Sequence, residues 1–194
     1  MATKIGIIGN GNVGGALERG LKQTSHEVRS VGNDPAAVRA VADWANVVIL
    51  AVPFGALEEV VKSAGSALDG KTVVDATNPL NPDMSLALGF STSGAEELQK
   101  KAPKTHVVKA FNTVFAQNMA SGHVGTQALT ALVASDDAGA KSTVLELSKA
   151  LGFEAVDAGP LRNARLLEPL GYLNIQLGYV LKMGTDIGFK VVRA

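Results

Sequence analysis

The chain contains no cysteine, which excludes disulfide frameworks, thiolate nucleophiles and cysteine-ligated zinc together and fits a reducing cytoplasmic setting. No charge of one sign dominates: 18 Lys and Arg stand against 18 Asp and Glu. Without an excess positive field there is nothing to draw in nucleic acid or an anionic membrane, and a small-molecule partner is favoured. Long apolar runs are missing as well. Val47 to Pro53 is strand-sized and far below the roughly 20 residues that span a bilayer, and Ile5 to Ile8 is too short for the core of a signal peptide. Neither a His-Glu-x-x-His motif nor a histidine-acid cluster occurs, so no catalytic metal is expected. No serine stands in a GxSxG setting, which leaves acyl transfer without support. His26 and His106 begin strands and His123 sits in a glycine-flanked turn. These are poor catalytic positions, so no side chain is assigned as catalytic.

What is present is 194 residues, 46% of them apolar, enough for one sizeable core and one expected domain spanning 1–194. Short apolar runs alternate with stretches of helical period, the pattern of βα units feeding a parallel sheet. Strands are expected over Lys4 to Gly9, His26 to Val31, Val47 to Val52, Thr72 to Asp75, His106 to Ala110, Leu129 to Ala134 and Glu154 to Asp157. Val13, Leu17 and Leu21, with Glu18, Arg19 and Lys22 opposite, make an amphipathic helix after the first strand. Ala140, Val144, Leu147 and Leu151 repeat that signature, with Gly152 as a C-cap. The fold class expected is α/β, a Rossmann-type doubly wound, mostly parallel sheet with a C-terminal helical segment over 163–194. From Asn163 to Met183 a stripe of Leu166, Leu170, Leu173, Leu177 and Leu181 runs beside off-stripe Ile175 and Tyr179. A helix apolar on more than one side must be covered twice, here by the sheet and by a homodimer partner or a ligand pocket. Ala76 to Ser93 is the longest irregular segment and a candidate ligand-facing loop.

Gly9-Asn10-Gly11-Asn12-Val13-Gly14 follows the first strand and opens the first helix, the setting in which a GxGxxG loop holds a dinucleotide. Gly9 permits the tight turn, Gly11 admits the pyrophosphate, and Gly14 lets helix and strand close together. The phosphates then meet free N–H groups at the helix N-terminus. The bland alternative is a strand-turn-helix without ligand. Cofactor choice belongs at the end of the second strand, at Asn33 and Asp34. Asp34 either binds the ribose of NAD or caps a helix that Pro35 begins. Arg29 and Arg39 are the nearby cations able to reach a 2′-phosphate, but neither stands at the tip, and NAD(H) against NADP(H) stays open.

Ligands of a doubly wound sheet bind beyond the carboxyl ends of its strands. Val52, Pro53 and Phe54 either pack a nicotinamide face or simply end a strand. Asn78 and Asn112 each follow a strand and offer amide donors and acceptors to a carboxamide or ribose, unless they only form Asx turns.

Several segments together resemble the NADP oxidoreductases dependent on the deazaflavin coenzyme F420. They are Lys4 to Gly14, Ala51-Val52-Pro53-Phe54, Val73 to Leu80, Val108-Lys109-Ala110-Phe111-Asn112-Thr113, and Asp157-Ala158-Gly159-Pro160-Leu161 with Asn163, Arg165 and Leu166. The ending Met183-Gly184 is similar too, and related domains occur in six-transmembrane metalloreductases. The resemblance implies a soluble reductase moving hydride between a nicotinamide and coenzyme F420, FMN or FAD. It implies that Phe111 and Thr113 flank the acceptor ring, with Asn112 beside them, and that Pro160, Leu161 and Met183 close on it. Phe111 could equally be core. One departure is plain: Gly32-Asn33 occupy positions where the family usually has Ser-Arg or Thr-Arg for the 2′-phosphate. A hydroxy-acid dehydrogenase or imine reductase shares the N-terminal unit but is expected to add a large helical domain, and a non-catalytic redox sensor would bind dinucleotide without turning over an acceptor.

Overall fold

The computed structural model describes residues 2–193. Its order begins β1 (Lys4–Ile8), α1 (Asn12–Leu21), β2 (Glu27–Val31), α2 (Pro35–Trp44), β3 (Val47–Leu50), α3 (Leu57–Ala64) and β4 (Thr72–Asp75). It continues with α4 (Gly94–Lys101), β5 (His106–Lys109) and α5 (Ala116–Met119), then a small hairpin of β6 (His123–Val124) and β7 (Gln127–Ala128). The chain closes with β8 (Thr130–Val133), α6 (Ala138–Ala150), β9 (Glu154–Asp157) and α7 (Ala164–Ile175). The central sheet is parallel with order β2-β1-β3-β4-β5. β8 and β9 pair in parallel beside it and are joined to β5 by an antiparallel bridge between Lys109 and Ala134. The expected mostly parallel, doubly wound α/β fold is therefore what the chain forms.

Strand periodicity of two explains why the sheet is covered on both sides. Ile5, Ile7, Val47, Ile49, Val74 and Val108 point into a core beneath α1 and α6. Ile8, Val48, Leu50, Val73 and Val107 point into a second core beneath α2, α3 and α4. Each fully buried aliphatic side chain contributes about 1.5–3 kcal/mol, which is why four- and five-residue strands suffice. Because β1 has β2 on one side and β3 on the other, the chain leaves β1 where strand order reverses, and a crevice opens there.

The C-terminal segment departs from the expected helix over 163–194. α7 passes into a π turn over Gln176–Val180, and helical backbone ends there. Lys182 takes a left-handed φ of 57° and Gly184 one of 82°, conformations that cannot continue a right-handed helix. The following chain returns to β8, where Thr130 N donates to the Phe189 carbonyl at 2.9 Å and Val191 N to Thr130 Oγ1 at 2.9 Å. The orientation of α7 also differs from expectation. Its buried face carries Ala164, Leu167, Glu168, Gly171 and Asn174, whereas Leu166, Leu173 and Leu181 of the leucine stripe are exposed. Polar side chains with specific partners, and a glycine that allows close approach, decide which face turns inward.

Candidate functional site: a cleft between the glycine loop and the C-terminal helix

The loop after β1 owes its shape to backbone contacts. Gly9 has φ 110°, and a Cβ there would lie 2.2 Å from the Ala51 carbonyl oxygen. A Cβ on Gly14 would lie 1.7 Å from the Gly9 carbonyl oxygen. At Gly11, by contrast, a Cβ would meet nothing within 4 Å, because this residue faces the open cleft. α1 starts without any side-chain cap, while Asp34, Ser93 and Asp137 cap α2, α4 and α6. The uncapped first turn turns its N–H groups toward the cleft, which suits an anionic group.

The cleft holds about 630 Å³. One wall is Asn10, Gly11, Asn12, Gly15 and Arg19; the other is Phe115, Gln117, Asn174 and Tyr179; Asn78 and Asn112 lie between them. The two asparagines clasp each other. Asn78 Nδ2 donates to the Asn112 carbonyl at 2.9 Å, and Asn112 Nδ2 donates to Asn78 Oδ1 at 3.0 Å and to the Leu167 carbonyl at 2.8 Å. Asn112 is aimed there by the residue before it: Phe111 takes a left-handed φ of 68° and is held by burial against Phe153, ring centroids 6.0 Å apart. Gly171 lets α7 descend onto the clasp, since a Cβ would fall 2.6 Å from Asn78 Oδ1 and 2.7 Å from the Asn112 carbonyl oxygen. From the next turn of α7, Asn174 Nδ2 donates to the Thr113 carbonyl at 3.1 Å.

Beneath this floor lies a fully buried ionic cluster. Lys109 Nζ donates to Asp75 Oδ2 at 2.9 Å and to the Thr77 carbonyl at 2.6 Å, and lies 2.9 Å from Glu168 Oε1. All three ammonium donors are thereby used. One cation faces two anions, and the surplus negative charge is met by the N-terminus of α4, where Gly94 N and Ala95 N donate to Glu168 at 2.9 and 3.2 Å. Burial opposes the charge on Lys109, but the Asp75 and Glu168 carboxylates outweigh it and hold the ammonium above its ordinary pKa of 10.5. The cluster ties β4, β5, α4 and α7 into the rigid base on which the asparagines stand. Outside it, Arg165 forks onto Glu96 at 2.9 and 2.7 Å and keeps that carboxyl below its usual pKa.

The expected site residues fall into three groups. Asn10, Gly11, Asn12, Val13, Asn78 and Asn112 line the cleft, and Gly9 and Gly14 shape its loop. A second group does not form its wall. Asp34 Oδ1 accepts from Ala37 N at 2.8 Å, so the side chain is the cap of α2 and Asn33 beside it is exposed. Arg29 stacks 4.2 Å from the Trp44 ring centroid and Arg39 engages Ser66 and Asp43. Phe54 lies against Gly94 under α3 and α4, and Val52 packs on that same core, with Pro53 exposed at the turn between them. Met183 walls a second, apolar cavity of about 430 Å³ with Leu129, Leu177 and Ile187. The third group does not line the cleft, contrary to the expectation that it would touch an acceptor, and all of it but Pro160 belongs to the interior. Phe111 and Leu161 are each 2% exposed because each fills a core on its own face of the sheet. Thr113 is likewise buried and meets the site through its carbonyl, and Pro160 is exposed on the loop before Leu161.

Reading the sequence missed Gly171, Asn174 and the cluster of Asp75, Lys109 and Glu168. The available signal was a mismatch: Glu168, Gly171 and Asn174 interrupt an otherwise leucine-rich helix at spacings of three, which places them on one face.

A parallel sheet with a glycine-cradled, uncapped helix at its switch point defines a doubly wound α/β protein of the Rossmann type. The sequence model of the family described as "NADP oxidoreductase coenzyme F420-dependent" matches residues 33–79. An F420-dependent NADP reductase of Methanocaldococcus jannaschii is 30% identical over 174 residues, 86% of this chain and 76% of that protein. The Metalloreductase STEAP3 of Rattus norvegicus is 30% identical over 182 residues, 87% of this chain but only 36% of that protein. A crystal structure from Arthrobacter sp. FB24, provisionally assigned as an F420-dependent NADP-reductase, superposes with a TM-score of 0.91 at 27% identity, covering 99% of this chain and 100% of that one. The chain belongs to the F420-dependent NADP reductase family, which is a family of NAD(P)-dependent oxidoreductases. Among the described residues no helix is long and apolar enough to cross a membrane.

Proposed function

We propose that the protein transfers hydride between NADP(H) and a flavin-like acceptor of the deazaflavin F420 class, with FMN or FAD as the other candidates. The observation that carries this reading is the composition of the cleft: an open glycine cradle for phosphates at one wall and neutral amides at the floor. Of the residues lining it, Arg19 and Tyr179 alone carry titratable groups. Hydride transfer between two bound rings needs no nucleophile or acid from the protein, only orientation and dry surroundings. Gly9, Gly11 and Gly14 would cradle the pyrophosphate, and Asn78 and Asn112 would position the ring.

The expected nicotinamide preference rests on the tip of β2. Asp34 is engaged in capping, and among the described residues Arg29 is stacked on Trp44 and Arg39 is engaged by Ser66 and Asp43, so the 2′-phosphate would lack a charge-assisted partner worth roughly 1.5–3 kcal/mol. We therefore expect NADPH and NADH to be used within about tenfold of each other. Oxidation of the two followed in parallel with F420, FMN and FAD tests the proposal: turnover with one acceptor supports it, and tight dinucleotide binding with no turnover on any acceptor defeats it. The exposed Leu166, Leu173, Tyr179, Val180 and Leu181 form an apolar patch suited to a second copy of the chain, so we expect a homodimer by sedimentation.

A further inference from the structure

Among the described residues, three buried side-chain atoms have no hydrogen-bond partner: Thr77 Oγ1, Asn112 Oδ1 and Asn174 Oδ1. Asn112 and Asn174 line the cleft, at its floor and far wall, and Thr77 lies beneath the floor beside the Lys109 ammonium. Buried polar atoms are nearly always paired, so a group of unpaired ones at one place calls for an explanation. Their identity as oxygens is fixed by their neighbours. The Asn112 carbonyl oxygen can only accept, which makes the Asn78 atom facing it Nδ2 and leaves Asn78 Oδ1 to accept from Asn112. Asn112 Nδ2 is then occupied twice, by Asn78 and by the Leu167 carbonyl, and its Oδ1 is left over. In the same way the Thr113 carbonyl claims Asn174 Nδ2 and leaves Asn174 Oδ1. Both asparagines are at least nine-tenths buried, exposed by 5% and 3%, and both line the cleft.

Two unspent amide acceptors select a ligand that donates. A phosphate cannot do so, whereas a planar ring with an N–H between carbonyls can. Asn174 also stands in the wall of the apolar cavity beside Leu129, Leu177 and Met183, so a ring held at its amide has apolar surface next to it. We infer that Asn174 Oδ1 accepts a hydrogen bond from the ring N–H of the hydride acceptor, and that the site thereby selects heteroaromatic acceptors with an imide edge. This rests on the hydride-transfer reading above.

The test compares 5-deazariboflavin and FMN, each with its N3-methyl derivative, binding to NADP⁺-saturated protein and followed by ring fluorescence. In the wild-type protein methylation weakens binding by roughly tenfold, the loss of one buried hydrogen bond. In Asn174→Ala the parent and methylated rings bind alike while the affinity for NADP⁺ is unchanged. Asn174→Ser, whose hydroxyl can still donate to the Thr113 carbonyl, gives the same result where Ala unfolds the protein. Equal methylation penalties in wild type and variant overturn the inference, as does a variant that loses NADP⁺ affinity instead, or the absence of ring binding. Because the titration is read without turnover, a protein that binds and discriminates the rings but transfers no hydride defeats the hydride-transfer reading and leaves the recognition of the N–H standing.

Discussion

The two walls of the cleft are built by opposite means. At the glycine loop, residues adjacent in the chain are shaped by backbone contacts, and what matters is the absence of side chains. At the floor and the far wall, residues from β4, β5 and α7 meet through side chains, and what matters is charge and amide pairing. The first wall is local and tolerates change elsewhere; the second is only as good as the packing of α7 on the sheet. A buried hydrogen-bonded arrangement of this kind fixes geometry tightly but is costly when any one member is lost.

The largest effect is expected at Lys109. Lys109→Met leaves Asp75 and Glu168 buried without a cation and should lower the unfolding free energy by about 3–5 kcal/mol in denaturant titrations, while replacing all three groups by apolar ones recovers most of it. A loss below about 1 kcal/mol would show that the cluster is not the base of the far wall. The same residue sets an alkaline limit. Its pKa is raised on folding, so the folded protein keeps a proton that the unfolded chain gives up. That contribution is whole below pH 10.5, the ordinary lysine value, and is lost as the pH climbs through the folded value. Stability should fall with pH in that range for the wild type and less for Lys109→Met.

The glycines separate the walls next. Gly14→Ala and Gly171→Ala each force a Cβ into an oxygen and should cost about 1–3 kcal/mol or more. Gly14→Ala should abolish dinucleotide binding in a calorimetric titration, whereas Gly171→Ala should spare the phosphate seat and raise the KM for the acceptor. If both variants lose the same ligand, the walls are not separate. Asp34→Ala removes a helix cap worth about 1 kcal/mol and should leave the ratio of NADPH to NADH use unchanged. Any marked change in that ratio would return Asp34 to the cofactor site. Smallest is Glu96→Gln, which breaks a partly exposed pair with Arg165 worth about 0.2–1 kcal/mol.

Much of the first wall was legible in advance because its determinants are contiguous. Gly9, Gly11 and Gly14 sit at fixed offsets after an apolar strand, and each offset has one geometric meaning. Asn78 and Asn112, which line the cleft, stood out because each comes three residues after the end of a strand. Phe111 and Leu161 went astray because a large apolar residue near a strand end reads alike whether it faces a ligand or a core. The leucine stripe of α7 misled for a related reason: periodicity finds an apolar face, but burial follows the face whose shape and partners fit.

The sequence by itself determined the strand-helix alternation, the parallel sheet and the glycine cradle, because short-range periodicity and backbone sterics decide these before distant parts of the chain meet. Only the tertiary structure decided which face of α7 turns inward, that Lys109 joins Asp75 and Glu168, and that Asn112 and Asn174 keep free oxygens. Those features depend on distances between groups 34 to 61 residues apart in the chain, and no local pattern encodes such distances.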